Sequence, residues 1–184
     1  MNLILIGYRA AGKTTVGRLL ARRLGWTFLD TDELIEARDG RTIARMVEQE
    51  GWDHFRRLEK EVVAEVSALS RQVIATGGGA VLDPDNVAAL RARGRVVWLE
   101  TDVDTIRRRL QGDDGRPSLT GQGTVNEAAR ILAERRPAYD RAAHWRLDTA
   151  GLDPESIAET ILSREAGLLR PIRNKEEGDV TPKA

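Results

Sequence analysis

The 184-residue chain has no cysteine, which excludes a disulfide framework and any thiolate metal site. Histidine is almost as scarce: the two present, His54 and His144, have no ligand-like spacing to other metal-binding residues, and neither is assigned a role. Net charge is also missing. Lys plus Arg number 29 against 29 Asp plus Glu, so no bulk field draws nucleic acid or a membrane surface, and neither is expected as a partner. No apolar stretch approaches the roughly 20 residues of a transmembrane helix. The chain runs directly into Asn2-Leu3-Ile4-Leu5-Ile6, without the basic and long apolar regions of a signal peptide, so none is expected and a cytoplasmic setting is the default. A guanine-reading N-K-x-D is lacking as well. The nearest approach, Asn174-Lys175-Glu176-Glu177, ends in Glu and follows no strand.

What is present is 41% apolar and 32% charged, the balance of one soluble α/β domain with a real core. Short apolar runs alternate with longer helical patterns, which points to stacked βα units around a parallel sheet. The pattern predicts strands near 2–6, 26–30, 72–76, 95–99 and 144–148. Helices are predicted near 13–24, 33–38, 42–50, 52–69, 84–92, 102–110, 124–141 and 154–165. Several strands are unbroken apolar runs, as expected when helices cover both faces of a sheet. Residues 112–123 are polar, Gly-rich and carry Pro117, which reads as a lid-like loop. The domain is expected to span 1–166, and 167–184, without periodicity, to be a disordered tail.

Gly7-Tyr8-Arg9-Ala10-Ala11-Gly12-Lys13-Thr14 fits G-x-x-x-x-G-K-[ST] and lies between an apolar strand and an amphipathic helix, the context this phosphate-cradling motif needs. Backbone N–H groups of the loop and the helix N-terminus together favour phosphate. Lys13 can reach the β- and γ-phosphates, and the Thr14 hydroxyl can ligate Mg2+. The competing reading is a Gly-rich turn without a ligand, but a chance match in a chain of this length is about one in a hundred.

Four further signals follow the motif. Asp30-Thr31-Asp32 ends an apolar run. In an extended segment both carboxylates share a face, one placed to hold Mg2+ through water and the other to take a proton from an attacking hydroxyl. Alternatively, Asp32 caps the next helix. Trp52, Arg56 and Glu59 share a helical face. An Arg fork there suits a carboxylate, with Glu59 steadying it, although taken alone an exposed surface ion pair is the better reading. Gly77-Gly78-Gly79 after a strand either exposes N–H groups to a ligand or makes a flexible turn. Arg116, in the lid-like loop, is placed either to meet a transferring phosphoryl group or to be solvated.

The order G-x-x-x-x-G-K-[ST], D-T-D, F-R-x-x-E (Phe55–Glu59), G-G-G, R-P (Arg116-Pro117) and E-R-x-P-x-Y (Glu134–Tyr139) resembles the shikimate kinase family over about residues 2–165. The resemblance implies a three-layer α/β/α P-loop NTPase fold with a five-stranded parallel sheet and a lid. It implies ATP-dependent phosphorylation of the shikimate 3-hydroxyl in aromatic amino-acid synthesis, with Mg2+ as cofactor, ATP and shikimate as ligands, and a monomer. Lys13, Asp32 and Arg116 would be catalytic. Ala10, Ala11, Gly12, Lys13, Thr14, Thr15, Arg109 and Arg116 would bind ATP, Arg109 packing on adenine. Asp32, Arg56, Gly78, Gly79 and Arg135 would bind shikimate, and Thr14 and Asp30 (through water) the metal. The chain departs from the family at Ser118, where Leu is more usual, and in the acidic Gly112–Gly115 segment. Two rivals remain: a gluconate-kinase-like sugar-acid kinase, and a nucleotide-sensing module without turnover.

Overall fold

Strand β1 (Asn2–Ile6) is buried at every position, and its two faces feed two different cores. Ile4 and Ile6 enter one cluster while Leu3 and Leu5 enter another. That is why Leu-Ile-Leu-Ile is a run rather than an alternation. A computed structural model describes residues 1–110 and 124–169.

In chain order the elements are β1, α1 (Lys13–Leu24), β2 (Thr27–Asp30), α2 (Thr31–Asp39), α3 (Ile43–Ala68), β3 (Gln72–Ala75), a 3-10 turn (Ala80–Leu82), α4 (Pro84–Arg93), β4 (Gly94–Glu100), α5 (Val103–Leu110), α6 (Thr124–Ala142), β5 (Trp145–Asp148) and α7 (Pro154–Leu169). The strands form one parallel sheet in the order β2-β3-β1-β4-β5. Helices α2, α3, α4 and α6 supply the cluster on one face, including Ile35, Phe55, Val62, Leu90 and Tyr139. Helices α1 and α7 supply the other, including Val16, Leu20, Ile157 and Ile161. The predicted five-stranded three-layer arrangement is the one observed.

Three boundaries differ from the sequence-based expectation. Helix α2 begins at Thr31, two residues early, because the Asp30 side chain caps it by accepting the Asp32 N–H at 3.0 Å. Asp32 is therefore helical, the cap is Asp30, and the two carboxylates do not share a strand face. The separate helices expected at 42–50 and 52–69 are arms of α3, broken at Gly51, whose φ of 80° is left-handed. Helix α7 runs to Leu169, so residues 167–169 are helical rather than tail. Glu165, 1% exposed, anchors this last stretch through Arg95 Nε at 2.8 Å and Trp145 Nε1 at 2.5 Å. The expected lid at 112–123, Arg116, and residues 170–184 lie outside the described residues.

Candidate active site

Gly7 ends β1 with φ 142°, and a Cβ there would stand 2.5 Å from the Leu99 carbonyl oxygen. Only glycine lets β1 turn this close to β4. The chain then loops through Ala10, left-handed at φ 61°, to Gly12, the φ 92° cap of α1. A left-handed alanine costs about 1–2 kcal/mol, and such strain is typical of ligand-binding loops. The Lys13 ammonium donates to the carbonyls of Gly7 and Tyr8, both at 2.8 Å. Thr14 Oγ1 donates to Asp30 Oδ2 at 2.8 Å, so one carboxylate both caps α2 and holds the Thr14 hydroxyl. Arg109 Nη1 reaches Ala10 O at 2.9 Å from α5.

These groups border a pocket lined by Arg9 to Val16, Asp30, Thr76 and Arg109, closed on its apolar side by Leu152, Pro154 and Ile157. The last three were not found from sequence. They follow β5, more than 130 residues from the motif, and no local pattern marks them.

A second pocket lies on the α3 side, lined among others by Arg9, Asp32, Trp52, Arg56, Glu59, the three glycines and Arg135. Arg56 Nη1 donates to Glu59 Oε2 at 2.5 Å, with Glu59 1% exposed. This is a buried anchor rather than the surface pair that the sequence alone favoured. Burial pushes the Glu59 carboxyl above its usual range, opposed by Arg56. The Arg56 guanidinium also lies 5.5 Å from the Trp52 ring centre. From α6, Arg135 Nη1 (3.1 Å) and Tyr139 OH (2.6 Å) both donate to Gly78 O, and burial raises the Tyr139 hydroxyl to about 12. Thr31 Oγ1 accepts the Gly77 N–H at 2.9 Å.

The glycines at this turn create space. A Cβ on Gly77 would meet Asp32 Oδ1 at 2.6 Å and Glu59 Oε1 at 2.8 Å, and one on Gly79 would meet Arg56 Nη1 at 2.7 Å.

The structure thus divides the sequence-predicted residues in two. Ala10, Ala11, Gly12, Lys13, Thr14, Thr15, Asp30 and Arg109 line the first pocket; Asp32, Arg56, Gly78, Gly79 and Arg135 line the second. Arg9, Glu127 and Tyr139 were given no role from sequence. Arg9 is hidden at a variable position of the loop motif, and Tyr139 was quoted only as part of a pattern.

A family model described as "Shikimate kinase" matches residues 9–165. A shikimate kinase of Symbiobacterium thermophilum is 46% identical over 166 residues, 89% of this chain and 95% of that protein. The solved structure of a shikimate kinase from Acinetobacter baumannii in complex with shikimate superposes with a TM-score of 0.86 at 38% identity, covering 90% of this chain and 93% of that one. One from Aquifex aeolicus superposes at 0.77 with 31% identity, covering 92% and 100%.

Proposed function

The chain belongs to the shikimate kinase family, and on that premise we propose that it transfers the γ-phosphate of ATP to the 3-hydroxyl of shikimate, giving shikimate 3-phosphate and ADP on the route to the aromatic amino acids. The observation that carries the reading is a pocket lined by Arg56, Arg135 and Asp32, which shares Arg9 with the pocket along the Gly7–Thr14 loop.

Arg56, steadied by Glu59, and Arg135, held at Gly78 O, take the shikimate carboxylate and so orient the ring. Asp32 accepts the proton of the 3-hydroxyl as its oxygen attacks the γ-phosphorus, and the bond from that phosphorus to the β,γ-bridging oxygen breaks. Lys13, swung from the carbonyls of Gly7 and Tyr8, meets charge on the transferring group. Thr14 and Asp30 offer adjacent hard oxygen donors that fit Mg2+, Asp30 through water. Held there, the ion would supply positive charge that offsets the charge of the phosphate oxygens. No described helix is long and apolar enough to cross a membrane, and a cytoplasmic enzyme is the fitting setting.

The test is ADP release with Mg-ATP and either shikimate or gluconate. Release that requires shikimate is expected; equal release without an acceptor would replace the kinase by an ATPase, and release on gluconate would name the rival. Asp32→Asn should lower kcat on the order of a hundredfold. A small loss would remove Asp32 as the base.

A further inference from the structure

Arg9 is the one residue, among those described, that lines both pockets. It sits inside the fold rather than on it. Its side chain is 8% exposed, and its guanidinium lies 3.6 Å from Glu127 of α6, whose side chain is fully covered. The backbone beneath it runs close to the Gly78 turn, where an added Cβ would stand 3.3 Å from Arg9 N. The charged end of Arg9 thus lies between Glu127 and the two pockets it lines.

Both ligands of the proposed reaction are anions, and they must bind side by side. Drawing the guanidinium away from Glu127 is costly, since it separates a buried pair. Whichever anion arrives first bears that cost, and the second finds the charge already turned towards it.

We propose that Arg9 is a binding residue shared by the two sites, which, balanced against Glu127, makes nucleotide and acceptor bind cooperatively. The proposal rests on the function given above. It separates Arg9 from Arg56 and Arg135, which line the acceptor pocket alone, and from Lys13 and Arg109, which line the nucleotide pocket alone.

The experiment measures shikimate affinity by calorimetry, with and without a non-hydrolysable ATP analogue and Mg2+. In the wild type the analogue should tighten shikimate by about fivefold or more, the low end of typical coupling. Arg9→Met should bring that factor close to one. Arg9→Lys, which keeps the charge, should retain part of it. Glu127→Gln should shrink the factor while tightening shikimate alone, because the guanidinium is already released. A purely structural ion pair predicts something else: both affinities weaken and the ratio stays constant. That outcome overturns the proposal, as does a wild type that binds shikimate with no tightening. Wild-type protein that binds no shikimate at all would instead sink the functional reading. If Arg9→Met does not fold, Arg9→Lys and Glu127→Gln decide: a ratio unchanged in both is equally fatal.

Discussion

Gly79 has an ordinary negative φ of −108°, so left-handed backbone is not what it supplies; it supplies room for the Arg56 guanidinium. Gly79→Ala therefore makes a specific prediction. The atoms in the way are the free end of a flexible side chain, so the fold should survive and the guanidinium should move. The KM for shikimate should rise about tenfold or more, while the KM for ATP and the melting temperature stay near wild type. Kinetics with each substrate varied in turn, beside a thermal melt, check it; an unchanged shikimate KM would mean that Arg56 does not hold the acid. At this scale the sequence revealed which residues matter better than why. The phosphate loop is legible because its chemistry is local, within eight residues. Asp30 and Asp32 were legible as a pair, but their division of labour depends on where α2 starts. Arg9 was not legible, because its partner Glu127 is distant in sequence and adjacent only after folding.

Among the elements, α3 matters most for the acceptor. Its break at Gly51 lets Ile43 of the first arm and Trp52, Phe55 and Arg56 of the second line the same pocket. A network crosses the break. Arg41 pairs with Asp39 and Glu50, both at 2.5 Å, and His54 Nδ1 lies 3.1 Å from Glu50. The Arg41 guanidinium beside Asp39 is the main reason its carboxyl falls to about 2. The two arms were readable as helices near 42–50 and 52–69, whereas the network was not, since charges in sequence do not announce their partners. Trp52 reports on this corner. It is the one indole, among the described residues, that lines either pocket, while Trp98 and Trp145 are buried in the cores. Shikimate without nucleotide should therefore change the intrinsic fluorescence, and Trp52→Phe should abolish the change with activity largely kept. A response that persists in Trp52→Phe would place the reporter, and the acid, elsewhere.

Across the whole molecule, the presence of a five-stranded parallel sheet followed from alternating βα patterns, but the order β2-β3-β1-β4-β5 is a pairing property that no periodicity encodes. The order brings the C-terminal ends of β1, β2 and β3 together at the two pockets, and the N-terminal ends of the strands lie at the opposite end. His144 belongs to that opposite end. Its Nδ1 accepts the Val96 N–H at 3.0 Å, and its own backbone N–H donates to Val96 O at 2.8 Å, so it fastens the start of β5 to β4. Partial burial, then Arg91 and Arg95, hold its pKa below the ordinary 6.5, with Glu165 opposing them. An acceptor nitrogen facing an N–H also requires the neutral ring. The sign follows from linkage. The unfolded chain binds this proton more readily than the folded one, so the stabilisation is present above about pH 6.5 and is lost as pH falls through the window below it. His144→Asn supplies an amide oxygen as acceptor and removes the titration. Melting temperatures of wild type and variant, followed from about pH 7.5 down to about 5.5, should converge or cross, with the wild type losing more. Glu59, whose folded pKa is raised, contributes in the opposite sense, so the difference between the two proteins is what counts. A difference that stays constant with pH would mean that His144 remains neutral throughout, and that the hold between β4 and β5 does not depend on its proton.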